Sequence, residues 1–118
     1  MSGFKFENLL IWQKAMDLGE ELDSQARAFP SEERFNLVSQ LSRAADSIAL
    51  NILEGSILQS ELEFKRFMGY AIRSLAEVVT CLHKAKKRHY IKDDVFEKLY
   101  NESFNLMNMM IGFRNKIK

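Results

Sequence analysis

The sequence predicts an all-α protein, an antiparallel up-down-up-down four-helix bundle formed by one domain over residues 1–118. Apolar residues recur at steps of three and four along almost the whole chain, which is the period of one helix face. Only one proline and five glycines occur in 118 residues, so there are few helix breakers. The alternative that this pattern leaves open is a three-helix core with one helix donated to another subunit.

The first predicted helix runs from about Leu9 to Ala28, with Asn8 as its N-cap. It ends near Pro30, because proline restricts the residue before it. The second helix is expected after Ser31, with Glu32 and Glu33 in its first turn, and is expected to end at Gly55.

The third helix has the clearest start. Ser60 and Glu63 are spaced as a capping box, in which the serine binds the amide of the third helical residue. We expect this helix to end near Arg88, in a lysine-rich last turn that suits the negative end of the helix dipole. The fourth helix is expected to run from Asp93 almost to the end of the chain. Since the connections are short, neighbouring helices should be antiparallel.

The composition excludes several classes of protein. A net charge of +1 gives no global attraction for nucleic acid. No apolar run reaches the roughly 18 residues of a membrane span, and the N-terminus does not have the pattern of a secretory signal. The lone cysteine, Cys81, suggests a reducing cytoplasm.

Motifs for metal binding, phosphate loops and nucleophilic catalysis are missing from the sequence, so no cofactor and no enzymatic activity are expected. The single cysteine and two histidines are too few for a zinc site. Cys81 is expected to be a small residue beside the core.

Two surfaces are candidates for binding. Beside the apolar stripe of the second helix lie apolar residues that point away from the core, and they suggest self-association unless the following loop covers them. These candidate assembly residues are Leu50, Leu53, Ile57 and Leu58. A cluster of cations at the end of the third helix could neutralise phosphates of RNA or DNA, or could simply be a solvated helix end. This basic cluster comprises Lys84, Lys86, Lys87, Arg88 and Lys92.

The two central helices also carry polar lines beside their apolar stripes. In the second helix the line consists of Gln40, Arg43, Ser47, Asn51 and Glu54. In the third helix it consists of Glu63, Arg66, Tyr70, Arg73 and Glu77. These residues could pair between helices, pair across a subunit contact, or form solvated shoulders with weak ion pairs.

Several motifs in order resemble one known family over nearly the whole chain. They are Phe6-x-Asn8-Leu9-x-Ile11-Trp12-Gln13-Lys14-Ala15, Phe29-Pro30-x-x-Glu33, Gln40-Leu41-x-Arg43-Ala44-Ala45-x-Ser47-Ile48, Asn51-Ile52-x-Glu54-Gly55 and Phe64-x-x-Phe67. The chain resembles the bacterial four-helix-bundle family named for proteins encoded in intervening sequences of 23S ribosomal RNA genes. The polar line of the second helix contains this family's polar signature.

The resemblance implies a small cytoplasmic bundle that forms a homopentamer with a central channel and is not an enzyme. A protein of similar fold, the accessory variability determinant of diversity-generating retroelements, forms a pentameric barrel that binds nucleic acid and a reverse transcriptase. Nucleic-acid binding is therefore an expectation by analogy, and a purely protein-binding or structural homo-oligomer is the alternative. Three positions depart from the family pattern. Ile57 and Leu58 replace a frequent glycine-arginine pair, and Arg73 replaces the glycine that commonly precedes the serine at position 74.

Overall fold

The part of the chain that the structure describes forms four α-helices, as the sequence predicts. The structure, a computed structural model, describes residues 3–58 and 60–117. The helices are α1 (Leu10–Ala26), α2 (Leu37–Ile57), α3 (Glu61–Lys87) and α4 (Asp93–Lys116). Short 3₁₀ turns precede α1 and α2, at Lys5–Asn8 and Ser31–Glu33. The described residues contain no β-strand.

Contacts at the ends of the helices show that α2 and α3, and likewise α3 and α4, run antiparallel. The start of α2 meets the end of α3, where Lys84 Nζ lies 3.5 Å from Gln40 Oε1. The start of α3 meets the end of α4, where the rings of Phe64 and Phe113 are 5.4 Å apart. Helix α1 packs against both α2 and α4, so in this structure one chain supplies all four helices of the bundle.

The core runs along the centre of the bundle and receives side chains from all four helices. Its largest fully buried side chains are Leu22 from α1, Leu37, Leu41, Ile48 and Ile52 from α2, Met68, Leu75, Val78 and Leu82 from α3, and Leu99, Leu106 and Met110 from α4. They follow the predicted apolar stripes. Burial of these side chains removes the most apolar face of each helix from water, which is the main source of bundle stability.

The predicted ends of α3 are confirmed. Ser60 precedes the helix, and its hydroxyl accepts a hydrogen bond from the amide of Glu63 at 3.2 Å. After Lys87 the chain turns through His89, whose φ of 62° is left-handed. The amide of Tyr90 then donates to the carbonyl of Ala85 at 2.9 Å, which closes a Schellman-type turn.

Three other predicted helix ends are wrong, namely the N-cap of α1 at Asn8, the start of α2 after Ser31 and the end of α2 at Gly55. Asn8 belongs to the first 3₁₀ turn, which Phe6 holds against α1 through an edge contact with Trp12 at 5.2 Å, and Leu9 takes the N-cap position. Ser31 begins the second 3₁₀ turn, so Glu32 and Glu33 are not in the first turn of α2.

Gly55 does not end α2. The helix continues to Ile57, and Gly55 is buried against α3. A Cβ at position 55 would lie 2.8 Å from Phe64 Cδ1 and 3.0 Å from Phe67 Cβ. The glycine therefore allows α2 and α3 to approach each other closely, which is a packing role and not a capping role.

Candidate interaction surfaces

The basic cluster lies at one end of the bundle, where α3 ends and α4 begins. Three of its five cations already contact other parts of the chain. Arg88 Nη1 lies 3.0 Å from Glu33 Oε2, and Lys84 Nζ donates to the side chain of Gln40. Lys86 Nζ lies 4.5 Å from the centre of the Phe96 ring, a cation–π contact. Lys87 and Lys92 are exposed. Part of the cluster thus stabilises the fold.

The buried carboxylate of Glu33 organises this end of the bundle. Its Oε2 accepts hydrogen bonds from the Tyr90 hydroxyl at 2.7 Å and from Arg88 at 3.0 Å. Its Oε1 accepts from the Asn36 side chain at 3.0 Å and from the Leu37 amide at 3.4 Å. We call these five residues the Glu33 cluster. It joins the loop before α2 to the turn after α3.

The Glu33 cluster holds its carboxylate in the charged form. The hydrogen bond from Tyr90 is the main cause that lowers the pKa of Glu33, and the amide of Leu37 and the charge of Arg88 act in the same direction against the opposing effect of burial. The same hydrogen bond and burial raise the pKa of Tyr90. Sequence analysis missed this cluster because its members are up to 57 residues apart.

The loop fixed by the Glu33 cluster also presents an exposed aromatic side chain. Phe35 is 88% exposed, and the guanidinium carbon of Arg34 lies 5.5 Å from the centre of its ring. No sequence signal separated Phe35 from the core phenylalanines, since its position at a helix start is compatible with burial. This end of the bundle therefore carries an exposed ring in addition to the basic cluster.

The polar signature of α2 lines a groove between α2 and α3, which we call the polar groove. It has a volume of about 490 Å³ and is lined by Gln40, Arg43, Ala44, Ser47, Glu77, Thr80, Cys81 and Lys84. Cys81 is buried at the floor, and burial raises the pKa of its thiol. A raised pKa leaves little reactive thiolate, so Cys81 is suited to packing and not to nucleophilic chemistry.

The rest of the two polar lines continues beyond the groove. Asn51 donates to the carbonyl of Ser47 at 2.8 Å, and Glu54 is exposed. On α3, Arg66 pairs with Glu63 at 3.0 Å, and Arg73 lies over the ring of Tyr70 at 5.6 Å. The contacts of Arg66 and Arg73 described here are thus made within α3.

The candidate assembly residues lie toward the opposite end of the bundle. Leu50 is 56% exposed, Ile57 62% and Leu58 38%, whereas Leu53 is partly buried. Leu50 and Leu53 border a groove of about 410 Å³ between α1 and α2, whose other apolar walls include Trp12 and Met16. The loop after α2 does not cover Leu50, so an apolar surface is left open.

Exposed apolar side chains are distributed unevenly over the described part of the chain. Seven large ones lie before or in the first half of α1, in or just after the second half of α2, or at the start of α3, and these are Phe4, Leu10, Met16, Leu50, Ile57, Leu58 and Leu62. Phe104 lies on α4, and Phe35 is alone at the end that carries the basic cluster. We call the first group the apolar end.

Two kinds of site were not found in residues 3–58 and 60–117. No group of three or more His, Cys, Asp or Glu side chains is arranged to hold a metal ion. None of the helices combines the length and the apolar character that crossing a membrane requires. Lys116, at the end of α4, lies at the end of the bundle opposite the basic cluster.

Comparison with known proteins gives a family and a fold. The sequence matches the family model described as 23S rRNA-intervening sequence protein over residues 7–112. No curated protein matches it significantly. A crystal structure from Bacteroides thetaiotaomicron, described as a protein with unknown function from the S23 ribosomal protein family, is similar with a TM-score of 0.82 and 21% sequence identity. The alignment covers 89% of this chain and 98% of that chain.

Proposed function

We propose, since this chain belongs to the 23S rRNA-intervening sequence protein family, that it acts as a non-catalytic, oligomeric binding scaffold. In this proposal the apolar end joins copies of the chain, and the basic cluster at the other end binds nucleic acid or a protein that processes nucleic acid. We place the protein in the cytoplasm and favour five copies around a central channel, as the family resemblance in the sequence implies.

The observation that carries the proposal is the open apolar surface around Leu50 and Ile57. Both side chains are more than half exposed, and the groove that Leu50 borders is lined largely by apolar and small side chains. Exposed apolar surface of this kind usually marks a contact, because water favours its burial by about 25 cal/mol per Å². A second copy of the chain supplies the partner that is always present.

The assembly test uses two matched substitutions. Leu50 on α2 and Phe104 on α4 are each 56% exposed, so replacing either by glutamate perturbs a single folded chain to a similar degree. We expect Leu50→Glu, alone or with Leu53→Glu, to shift the mass measured by light scattering toward that of a monomer. Phe104→Glu should leave the mass unchanged. If Leu50→Glu leaves the mass unchanged while circular dichroism shows a folded chain, the apolar end is not the contact.

The nucleic-acid partner is tested at Lys87 and Lys92, which are exposed and make none of the contacts described above for the other three cations. Lys87→Glu with Lys92→Glu should weaken binding of RNA and DNA at low salt and reduce its salt dependence. Lys14→Glu with Lys116→Glu is the matched control, because it makes the same change in charge near the opposite end. If both double substitutions weaken binding equally, binding depends only on net charge, and the basic cluster is not the nucleic-acid site.

A purely protein-binding or structural homo-oligomer is the second candidate. Lys84, Lys86 and Arg88 are already engaged within the chain, which favours a structural role for that part of the basic cluster. A stable oligomer that binds no RNA or DNA even at low salt would support this alternative and reject the nucleic-acid partner.

A further inference from the structure

Phe35 is separated from the other exposed apolar side chains, and this limits the kind of partner that can bind there. At the end of the bundle that carries the basic cluster, Phe35 is the one large apolar side chain that is highly exposed among the described residues. One aromatic ring offers about 150–250 Å², whereas a specific protein contact buries about 1,200–2,000 Å² in total. A lone ring beside the guanidinium of Arg34 is a better match for a small π-system attached to an anionic group.

The loop backbone that carries this ring is held in place relative to the basic cluster. Asn36 and Leu37, which follow Phe35, both donate to Glu33 Oε1. The other oxygen of the same carboxylate binds Arg88 and Tyr90. One buried carboxylate therefore holds the backbone of the loop with Arg34 and Phe35 against the end of α3, which keeps the attachment point of the ring in place relative to the basic cluster.

The polar groove begins beside this loop. Gln40 and Lys84 stand on opposite walls at that end of the groove, and Arg43 is exposed farther along α2. Lys84 and Arg43 can contact phosphates, while the amide of Gln40 and the hydroxyls of Ser47 and Thr80 can hydrogen-bond to ribose or base edges. Glu77 lines the same groove, and its negative charge disfavours phosphate beside it.

We propose that this surface binds single-stranded nucleic acid, with an unpaired base stacked on Phe35 and the adjoining backbone in the polar groove between Arg43 and Lys84. The inference deepens the proposed function and rests on its nucleic-acid partner. A duplex keeps its bases stacked on one another and cannot offer a face to the ring, whereas a single strand can. The base–aromatic contact does not require a particular sequence.

The test measures binding by fluorescence anisotropy at two salt concentrations, using a labelled unstructured RNA oligonucleotide and a duplex of the same length. Phe35→Ala should weaken single-strand binding about tenfold, because loss of one base–aromatic stacking contact lowers affinity by roughly five- to hundredfold. It should not change the salt slope, because the ring carries no charge. Phe35→Trp should retain binding, and Phe104→Ala is the control for loss of an exposed ring elsewhere.

A complementary variant tests the groove. Arg43→Gln should reduce the slope of log affinity against log salt by about 0.7 for one lost phosphate contact on a single strand. Each of these substitutions is at an exposed side chain, so the fold is expected to survive, and circular dichroism checks this.

Two negative results have different meanings. If the wild-type chain binds neither oligonucleotide at low salt, the proposed nucleic-acid partner is wrong and this inference fails with it. If the chain binds nucleic acid but Phe35→Ala and Phe104→Ala have equal effects, or if the duplex binds as tightly as the single strand, this inference alone is overturned. Phe35-dependent binding to anionic phospholipid vesicles, with no oligonucleotide binding, would identify a membrane surface and overturn both.

Discussion

Gly55 provides a direct test of the packing between α2 and α3. It lies in a helix and is buried, and an added Cβ would be 2.8 Å from Phe64 Cδ1 and 3.0 Å from Phe67 Cβ. At Gly69, near the middle of α3, the same hypothetical carbon has no described atom within 4 Å apart from its chain neighbours and the adjacent backbone of its own helix. Gly55→Ala and Gly69→Ala therefore make the same chemical change in two different environments.

The expected free energies have opposite signs. Alanine is more favourable than glycine in a helix by about 0.5–1 kcal/mol, so Gly69→Ala should increase the free energy of unfolding by about that amount. At Gly55 the optimal carbon–carbon separation of about 3.5–4.0 Å would require the helices to separate by about 0.5–1 Å. Overpacking of this kind costs about 1–3 kcal/mol, which exceeds the gain in helix propensity. Gly55→Ala should therefore reduce stability by about 1–2 kcal/mol.

Urea denaturation followed by circular dichroism measures both changes. The two variants should be compared at one protein concentration, because assembly makes the apparent stability depend on concentration. We expect the midpoint to rise for Gly69→Ala and fall for Gly55→Ala. A Gly55→Ala protein as stable as Gly69→Ala would refute the close approach of the two helices at this position.

Three further substitutions test local features of the fold. His89→Gly should stabilise the protein by about 1 kcal/mol in urea denaturation, because glycine adopts the positive φ of 62° without a Cβ clash; no gain would contradict the left-handed turn. Ser60→Ala should destabilise it by about 1 kcal/mol through loss of the bond to the Glu63 amide, and an unchanged midpoint would argue against the cap. Because folding lowers the pKa of Glu33, its charged carboxylate stabilises the fold at any pH above the ordinary glutamate pKa of 4.5. This contribution to stability is lost as the pH falls below 4.5 toward the lowered pKa. The difference in urea midpoint between wild type and Glu33→Gln should accordingly be largest near neutral pH and shrink in acid; a difference that does not vary with pH would contradict the cluster.

The elements that sequence reasoning predicted well are those set by local patterns. The apolar period identified all four helices, and Ser60 and Asp93 marked the starts of α3 and α4 because side chains and backbone within one turn decide them. At Ser31 the local pattern failed. Glu33 is held by Arg88 and Tyr90 from the far end of α3, and this tertiary contact delays the start of α2 until Leu37.

Gly55 and the basic cluster show the same limit. A glycine near the end of an apolar run is typical of a helix end, but a close neighbouring helix can also require it, and a single sequence does not distinguish the two. The cations of the basic cluster were predicted as a group, yet the groups that Lys84, Lys86 and Arg88 contact are far away in sequence. By contrast, the outward direction of Leu50 follows from helical angle alone, and the structure shows it exposed.

The mass of the wild-type protein in solution tests the central claim most directly. Sedimentation equilibrium over a range of concentrations should give a multiple of the 13.7 kDa chain mass, with about five copies as the value that we favour. Association driven by the apolar end should persist at high salt, because burial of apolar surface is not screened by ions. A mass that stays at 13.7 kDa at every concentration would contradict the proposed scaffold.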